Sequence, residues 1–283
     1  DMQKIVFNGH YLMYFDTAVA GYWRAMAMPY HEAMAHLDGD LFVRKATLEY
    51  LASAQYDDSL EVGMRCGRIG NSSIVFDAAV FRGDTLLVSG ELVYVFADPK
   101  TQSSQPVPAQ LRELLQDFEA GKPTRDVPVG TWDELRREAQ SIRTAVFVQE
   151  QRIPAELEWD AADAHCVHAV AYNRFGMALG TGRLLEHEPG VAKIGRMAVL
   201  QAMRGAAVGR ALLEALIDAA RRRGEREVLG ETQRVPLRHD VEHLPEAQPL
   251  GLHRQVLTEL DEVRQDLVAL VLEVVLGGPE RVE

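Results

Sequence analysis

The stretch IGRMAVLQAMRGAAVGRALL, residues 194–213, is the most informative part of the chain for its fold. It begins as an apolar strand pattern, a short loop starts at Arg204, and an amphipathic helix pattern follows. Small residues occupy the loop and the helix start: Gly205, Ala206, Ala207 and Gly209. Backbone N–H groups at such a helix start can approach phosphate oxygens closely, and the helix dipole favours an anion. The stretch therefore predicts a binding site for an anionic ligand, in particular a pyrophosphate.

This loop does not match two common phosphate-binding motifs. A Walker loop would read GxxxxGK[ST], and a dinucleotide fingerprint would read GxGxxG with an acidic residue about 20 positions later. The loop instead resembles motif A, [QR]xxGxGxx, of the GNAT superfamily of acetyl-CoA-dependent N-acetyltransferases, with alanine in place of one glycine. Two further segments, RTAVFVQEQRIP at 143–154 and WDAADAH at 159–165, resemble the ElaA-like branch of that superfamily.

The resemblance implies a GNAT-like α/β domain with a mixed sheet, which binds coenzyme A or acetyl-CoA as ligand or substrate and uses no metal. The backbone of residues 197–199 would meet the pantetheine arm, and residues 204–210 would hold the pyrophosphate. The implied cofactor-binding residues are Met197, Ala198, Val199, Arg204, Gly205, Ala206, Ala207, Val208, Gly209 and Arg210. These transferases usually carry a later tyrosine that protonates the departing thiolate, but this chain has no tyrosine after Tyr172. We therefore expect weak or absent acetyl transfer.

Three acidic residues near these segments, Glu150, Asp160 and Asp163, have two interpretations. They could contact a substrate amine, which is cationic and must lose a proton before it attacks. They could equally form an acidic loop exposed to solvent.

The first half of the chain has a different pattern. Residues 11–28 carry apolar side chains at helical spacing. Period-two strand patterns follow at residues 42–50, 60–68, 73–82 and 85–96. The sequence RGD at 82–84 is a hairpin signal between the last two strands. A long helix followed by an antiparallel meander predicts an α+β fold in which the sheet wraps around the helix.

Two segments of this half carry a second resemblance. DMQKIVFNGHYLMYFDTA, residues 1–18, and FVRKATLEYLASAQYDDSLEV, residues 42–62, resemble hot-dog-fold acyl-CoA thioesterases of the 4-hydroxybenzoyl-CoA thioesterase-like family. The resemblance implies a homodimer or homotetramer that hydrolyses an acyl-CoA thioester. Lys4 and Ser53 stand where that family usually has glycine and proline.

The candidate catalytic residues of this half are Asp1, Tyr11 and His10. The resemblance places Asp1 on the family's catalytic carboxylate, and Tyr11 on the helix-start residue whose backbone N–H points at the thioester carbonyl. His10 is a second candidate because histidine titrates near neutral pH. Thioester hydrolysis needs a base or a nucleophile, together with a hydrogen-bond donor where the oxyanion forms.

Composition limits the partners that the chain could have. The 30 basic and 42 acidic residues give a net charge of −12, which disfavours binding to nucleic acid or to an anionic membrane surface. Two cysteines a hundred positions apart predict free buried thiols in a reducing compartment. No run of about 18 apolar residues is present, so we expect a cytoplasmic protein.

The predicted fold class is α+β, with four segments. They are a hot-dog thioesterase domain at 1–122, a linker at 123–130, a GNAT-like acyl-CoA-binding domain at 131–233, and an atypical tail at 234–283 with a long amphipathic helix at 253–276. The leading hypothesis is acyl-CoA hydrolysis by the hot-dog domain, with the GNAT-like domain binding coenzyme A. One alternative is an N-acetyltransferase whose hot-dog half is a dimerisation scaffold. The other is a non-catalytic, CoA-responsive assembly module.

Overall fold

The computed structural model describes residues 4–230 and, in addition, the backbone of residues 234–236 and 274–275. The described residues divide between Pro123 and Thr124 into two compact units. We describe each unit by itself.

The first unit is an antiparallel sheet packed against a long helix. Its elements are α1 His10–Ala25, α2 Tyr30–His36, β1 Asp40–Tyr50, β2 Ser59–Ile69, β3 Ser73–Arg82, β4 Thr85–Ala97 and α3 Ala109–Glu119. The strands lie in the order β1-β4-β3-β2, and a two-residue strand at Val274–Val275 pairs with the outer edge of β2. This arrangement confirms the predicted hot-dog architecture.

Helix α1 forms the core of this unit, as its apolar stripe predicts. Phe15, Tyr22 and Trp23 are each at most 2% exposed. Gly90 on β4 makes the close approach of the helix possible, because a Cβ atom there would lie 2.5 Å from the Phe15 ring. The helix ends at Ala25, three residues earlier than predicted, because the chain turns at Ala27, which has a φ of +58°.

The second unit is a mixed sheet with helices on its two faces. Its strands are β5 Arg125–Asp126, β6 Val129–Gly130, β7 Val167–Asn173, β8 Ala178–Glu188, β9 Val191–Val199, β10 Glu227–Leu229 and β11 Arg234–Pro236. Its helices are α4 Trp132–Arg143, a π-helix Thr144–Glu150, α5 Ala155–Glu158, two short 3₁₀ helices at Ala161–His165 and Gln201–Met203, and α6 Val208–Arg222. The strand order is β11-β10-β9-β8-β7-β5, and β6 also pairs with β7. Only the β9–β10 pairing is parallel among the pairs described for this sheet.

Two sequence features of the second unit are confirmed and one is corrected. Thr131 and Glu134 form the predicted capping box at the start of α4. Helix α6 follows the small-residue loop as predicted. Residues 123–130, which the sequence predicts as a linker, contain the short strands β5 and β6, both hydrogen-bonded to β7. Such two-residue strands are too short to produce a side-chain period.

The remaining predictions for this part of the chain have mixed outcomes. The helix predicted at 253–276 lies outside the described residues, except that Val274 and Val275 form a strand rather than a helix. Both cysteines are free, but only Cys166 is buried and Cys66 is half-buried. Within the described part of the chain, every helix is too short or too polar to span a lipid bilayer.

Gly180 on β8 controls how closely α6 packs on the sheet. A Cβ atom at Gly180 would lie 2.9 Å from Leu212, 3.0 Å from the backbone oxygen of Ala198 and 3.1 Å from Val208. We expect Gly180→Ala to lower the free energy of unfolding of the second unit by about 1–3 kcal/mol, because a backbone atom there cannot easily move aside. Urea denaturation measures the change. Gly195→Ala is the matched control, because nothing lies within 4 Å of its Cβ position; an equal loss in both variants would contradict the packing argument.

Candidate functional sites

The loop that joins β9 to α6 turns several backbone N–H groups outward. Gly205 has a φ of +79°, and Ala207, the N-cap of α6, has a φ of +55°. The N–H group of Ala206 bonds to the Met203 carbonyl. In the described residues, by contrast, the N–H groups at 205 and 207–210 have no backbone acceptor. Left-handed residues before a helix start turn successive N–H groups towards one concave surface, which binds anions. The geometry of this loop therefore fits a pyrophosphate.

Motif A explains why the backbone at position 207 has a positive φ. Ala207 is the residue that replaces the motif's glycine, and it is held in the left-handed region that glycine enters without a steric penalty. The loop conformation therefore survives the replacement, although alanine disfavours it.

Arg125 contacts this loop from β5. Its Nη1 donates a hydrogen bond to the Ala206 carbonyl at 2.6 Å. Burial lowers the pKa of Arg125, and nearby Glu214 opposes that shift. The guanidinium stays protonated because arginine titrates so far above neutral pH. The sequence alone gave no indication of this contact, since Arg125 lies in the segment predicted as a linker and 81 positions from Ala206.

Strands β9 and β10 pair only over their first three positions. The parallel register joins 191–193 to 227–229, and the described chain has no strand beside residues 194–199 on that edge. Arg196 has a φ of +52° at an irregularity in the β8–β9 register. The Leu200 N–H donates to the Leu179 carbonyl on the β8 side. Because the backbone groups of successive strand residues point to opposite edges, the N–H and C=O of Val199 face the open edge. An extended amide-bearing ligand could hydrogen-bond there.

Arg204 lies across this open edge. Its Nη1 and Nη2 atoms each lie 2.7 Å from a carboxylate oxygen of Glu150, and its Nε donates to the Val199 carbonyl at 3.3 Å. The hydrogen bond from Arg204 lowers the pKa of Glu150. Glu150 is thus an ion-pair partner of the loop, and its carboxylate is not free for a substrate amine in this conformation.

Asp163 and Asp160 take part in one charged network, in which Asp163 is buried and the Asp160 side chain is 38% exposed. Asp163 is 4% exposed and accepts hydrogen bonds from Arg143 at 2.8 Å and from Arg183 at 2.7 Å. Asp160 binds Arg183 through both carboxylate oxygens, each at 2.8 Å. Arg143 also bonds Glu158 at 2.6 Å and lies 4.7 Å from the ring centre of Trp159. The solvent-exposed interpretation of Asp163 is therefore wrong, and its carboxylate is paired with two arginines in this conformation.

The first unit has a cavity of about 450 Å³ beside the start of α1. It is lined by Ile5, Val6, Phe7, Asn8, Tyr11, Tyr50, Leu51, Ala52 and Ser53. Tyr11 is buried, and its hydroxyl accepts a hydrogen bond from the Ala54 N–H at 3.1 Å. Its own N–H donates to the Asn8 carbonyl at a long 3.4 Å. Weak internal bonding of this kind leaves the N–H available to a better acceptor.

The other candidate catalytic residues of the first unit have different placements. Asp1 lies outside the described residues. His10 is exposed at the start of α1, with its ring edge-on to Phe7 at 5.7 Å. Lys4 has a φ of +59°, which explains why glycine suits that position in the thioesterase family that the sequence resembles.

Comparisons with known proteins agree with this division. The thioesterase superfamily model matches residues 3–89, and the acetyltransferase (GNAT) family model matches residues 132–237. The uncharacterized N-acetyltransferase YjcF of Bacillus subtilis is 36% identical over 88 residues, which are 31% of this chain and 61% of that relative. The acyl-CoA thioester hydrolase YbgC of Escherichia coli is 27% identical over 112 residues, 39% of this chain and 83% of that relative.

Among solved structures, a thioesterase-superfamily protein from Jannaschia sp. CCS1 is 20% identical, with a TM-score of 0.39, over 41% of this chain and 82% of that chain. The fold class is that of a hot-dog unit followed by a GNAT-like mixed sheet. Residues 3–89 are thus similar to the thioesterase superfamily and residues 132–237 to the GNAT family, as the sequence motifs predicted. It spans less than two thirds of the length of YjcF.

Proposed function

We propose that this chain is an acyl-CoA hydrolase whose first unit cleaves the thioester and whose second unit binds coenzyme A or acetyl-CoA. The observation that carries the proposal is the cavity at the start of α1, inside the region that matches the thioesterase superfamily. The relative YbgC, named as an acyl-CoA thioester hydrolase, supports the same reaction class.

The proposed hydrolysis uses a side chain as base or nucleophile and a backbone N–H as the donor to the oxyanion. Asp1 is the base that activates water or the nucleophile that attacks the thioester carbonyl. The Tyr11 N–H donates to the oxyanion in place of its long bond to Asn8. His10 is the second candidate base; it is exposed and directly precedes Tyr11, which lines the cavity.

The second unit supplies a coenzyme A site in this proposal. Within the loop at 204–210, the N–H groups at 205 and 207–210 hold the pyrophosphate, and the open edge at 197–199 takes the pantetheine amides. Pantetheine binding at Val199 requires Arg204 to leave that carbonyl. No cluster of three His, Cys, Asp or Glu residues that could hold a metal ion occurs in the part of the chain that the structure describes.

N-acetyl transfer is the second candidate activity, because residues 132–237 match the GNAT family. In this alternative the first unit acts as a scaffold. The departing thiolate would need a proton donor other than the tyrosine that this superfamily usually provides, since the chain has none after Tyr172.

Assembly into a homodimer or homotetramer is part of the proposal. Seven large apolar side chains among the described residues of the first unit are exposed, and four of them line the cavity or belong to β1. The seven are Phe7, Leu12, Met13, Val43, Tyr50, Leu51 and Tyr56. Exposed apolar side chains, two of which (Val43 and Tyr50) lie on the edge strand β1, favour contact with a second copy.

The experiment that tests the proposed reaction is thiol release from an acyl-CoA, with and without an amine acceptor. We expect release at the same rate in both conditions, because water is the acceptor in hydrolysis. Acetyl transfer predicts release that depends on the amine and yields an acetylated product detectable by mass spectrometry. Release that requires the amine would refute the hydrolase proposal, and the absence of release in both conditions would favour the non-catalytic assembly module.

A further inference from the structure

Arg125 is placed to control the conformation of the anion-binding loop. It lies on β5, which is fixed in the sheet by pairing of Arg125 with Asn173 and of Asp126 with Tyr172 on β7. From this rigid position its half-buried guanidinium reaches the Ala206 carbonyl at 2.6 Å. The donor is charged and partly withdrawn from solvent, which makes this hydrogen bond stronger than a neutral one.

The bond to the Ala206 carbonyl also sets the direction of the next N–H group. The carbonyl of Ala206 and the N–H of Ala207 belong to one planar peptide and point in opposite directions. A carbonyl held by Arg125 therefore turns the Ala207 N–H to the opposite side of the loop. That N–H is one of those without a backbone acceptor in the described chain.

Ala207 makes this support necessary. Its φ of +55° lies in the left-handed region, which alanine enters less readily than glycine. Without an external contact, the chain at Ala207 would relax towards negative φ and rotate the neighbouring peptides. Glycine at this position would hold the same conformation without support.

We propose that Arg125 is a positioning residue, which holds the Ala206–Ala207 peptide in its anion-binding orientation and replaces the conformational freedom that a glycine at 207 would provide. This inference rests on the proposed coenzyme A site of the second unit. It differs from a direct charge contact with phosphate, because Arg125 acts through the carbonyl of Ala206.

The test is calorimetric titration of the full chain and its variants with coenzyme A. We expect Arg125→Gln to weaken affinity about 10-fold or more, the effect of a lost hydrogen bond from a charged donor. Ala207→Gly in the Arg125→Gln background should restore affinity to within about 3-fold of the unaltered chain, because glycine adopts positive φ without support. Arg125→Lys, which keeps the charge and one donor, should lie between the two.

Arg136→Gln is the control for loss of a cation elsewhere in the same unit, since Arg136 is exposed on α4 and bonds only Gln140 among its described side-chain contacts. Its affinity should not change. Unaltered affinity in Arg125→Gln overturns the inference. A loss of affinity that Ala207→Gly does not restore also overturns the inference, because Arg125 would then act through its charge or through the stability of the unit. Thermal unfolding of the same variants separates these two roles. Absence of binding by the unaltered chain would instead refute the proposed coenzyme A site, and this inference with it.

Discussion

Asp163→Ala is expected to lower the free energy of unfolding of the second unit by about 3 kcal/mol, because the change removes a carboxylate that two buried arginines share. The Asp163, Arg143 and Arg183 side chains are only 5%, 1% and 9% exposed. Arg143 would keep Glu158 and Arg183 would keep Asp160, so the expected loss lies at the lower end of the range for broken buried pairs. Urea denaturation followed by tryptophan fluorescence measures it, since Trp159 lies against Arg143.

Glu214→Ala is the matched control for this prediction. Glu214 pairs with Arg210 at 2.8 Å, the same distance as Asp163 and Arg143, but these side chains are 49% and 63% exposed. We expect a change below about 0.5 kcal/mol there, because water screens an exposed pair. Similar losses in both variants would show that burial does not determine the effect.

The effect of Asp163 should depend on pH. Burial raises the pKa of Asp163, but hydrogen bonds from Arg143 and Arg183 outweigh it and the net pKa is lowered. A carboxylate with a lowered pKa in the folded state stabilises the fold above its ordinary pKa, about 3.9, and loses that contribution as the pH falls through the folded value. The difference in stability between the unaltered chain and Asp163→Ala should therefore be complete near pH 6 and shrink in strong acid.

The sequence predicted those elements whose apolar pattern and flanking turn or small residues define their ends. Strand β3 was predicted at its observed bounds, because its apolar residues and the turn at Gly83 leave one register available. Helix α6 was predicted because small residues mark its start and a 3.6-residue stripe faces Gly180 and its neighbours. In both cases, local pattern and tertiary packing require the same structure.

Contacts between distant segments could not be predicted in the same way. Asp163 sits in an acidic stretch that is typical of a solvated loop, and its burial depends on Arg143 and Arg183, each 20 positions away. Arg125 lies in a segment that contains proline and glycine. Its pairing with β7 is too short to leave an alternating pattern of side chains in the sequence. Composition does not predict the positive φ of Ala207 either. Only the resemblance to motif A identifies that position as one that favours glycine.

Asp1→Asn is expected to reduce acyl-CoA hydrolysis about 10²–10⁴-fold, the range for loss of a general base, because an amide cannot accept the proton of an attacking water. Asp1 lies four positions before Ile5, which lines the cavity at the start of α1. Steady-state thiol release measures the loss. Coenzyme A affinity of the second unit should not change, since the proposed site there uses residues 197–210.

Two further variants separate Asp1 from its alternatives. Asp16→Asn makes the same chemical change on the exposed side of α1, and it should keep full activity. His10→Gln should also keep most activity if Asp1 is the base. Full activity in Asp1→Asn, together with loss of activity in His10→Gln, would transfer the catalytic role to His10, which directly precedes Tyr11 at the start of α1.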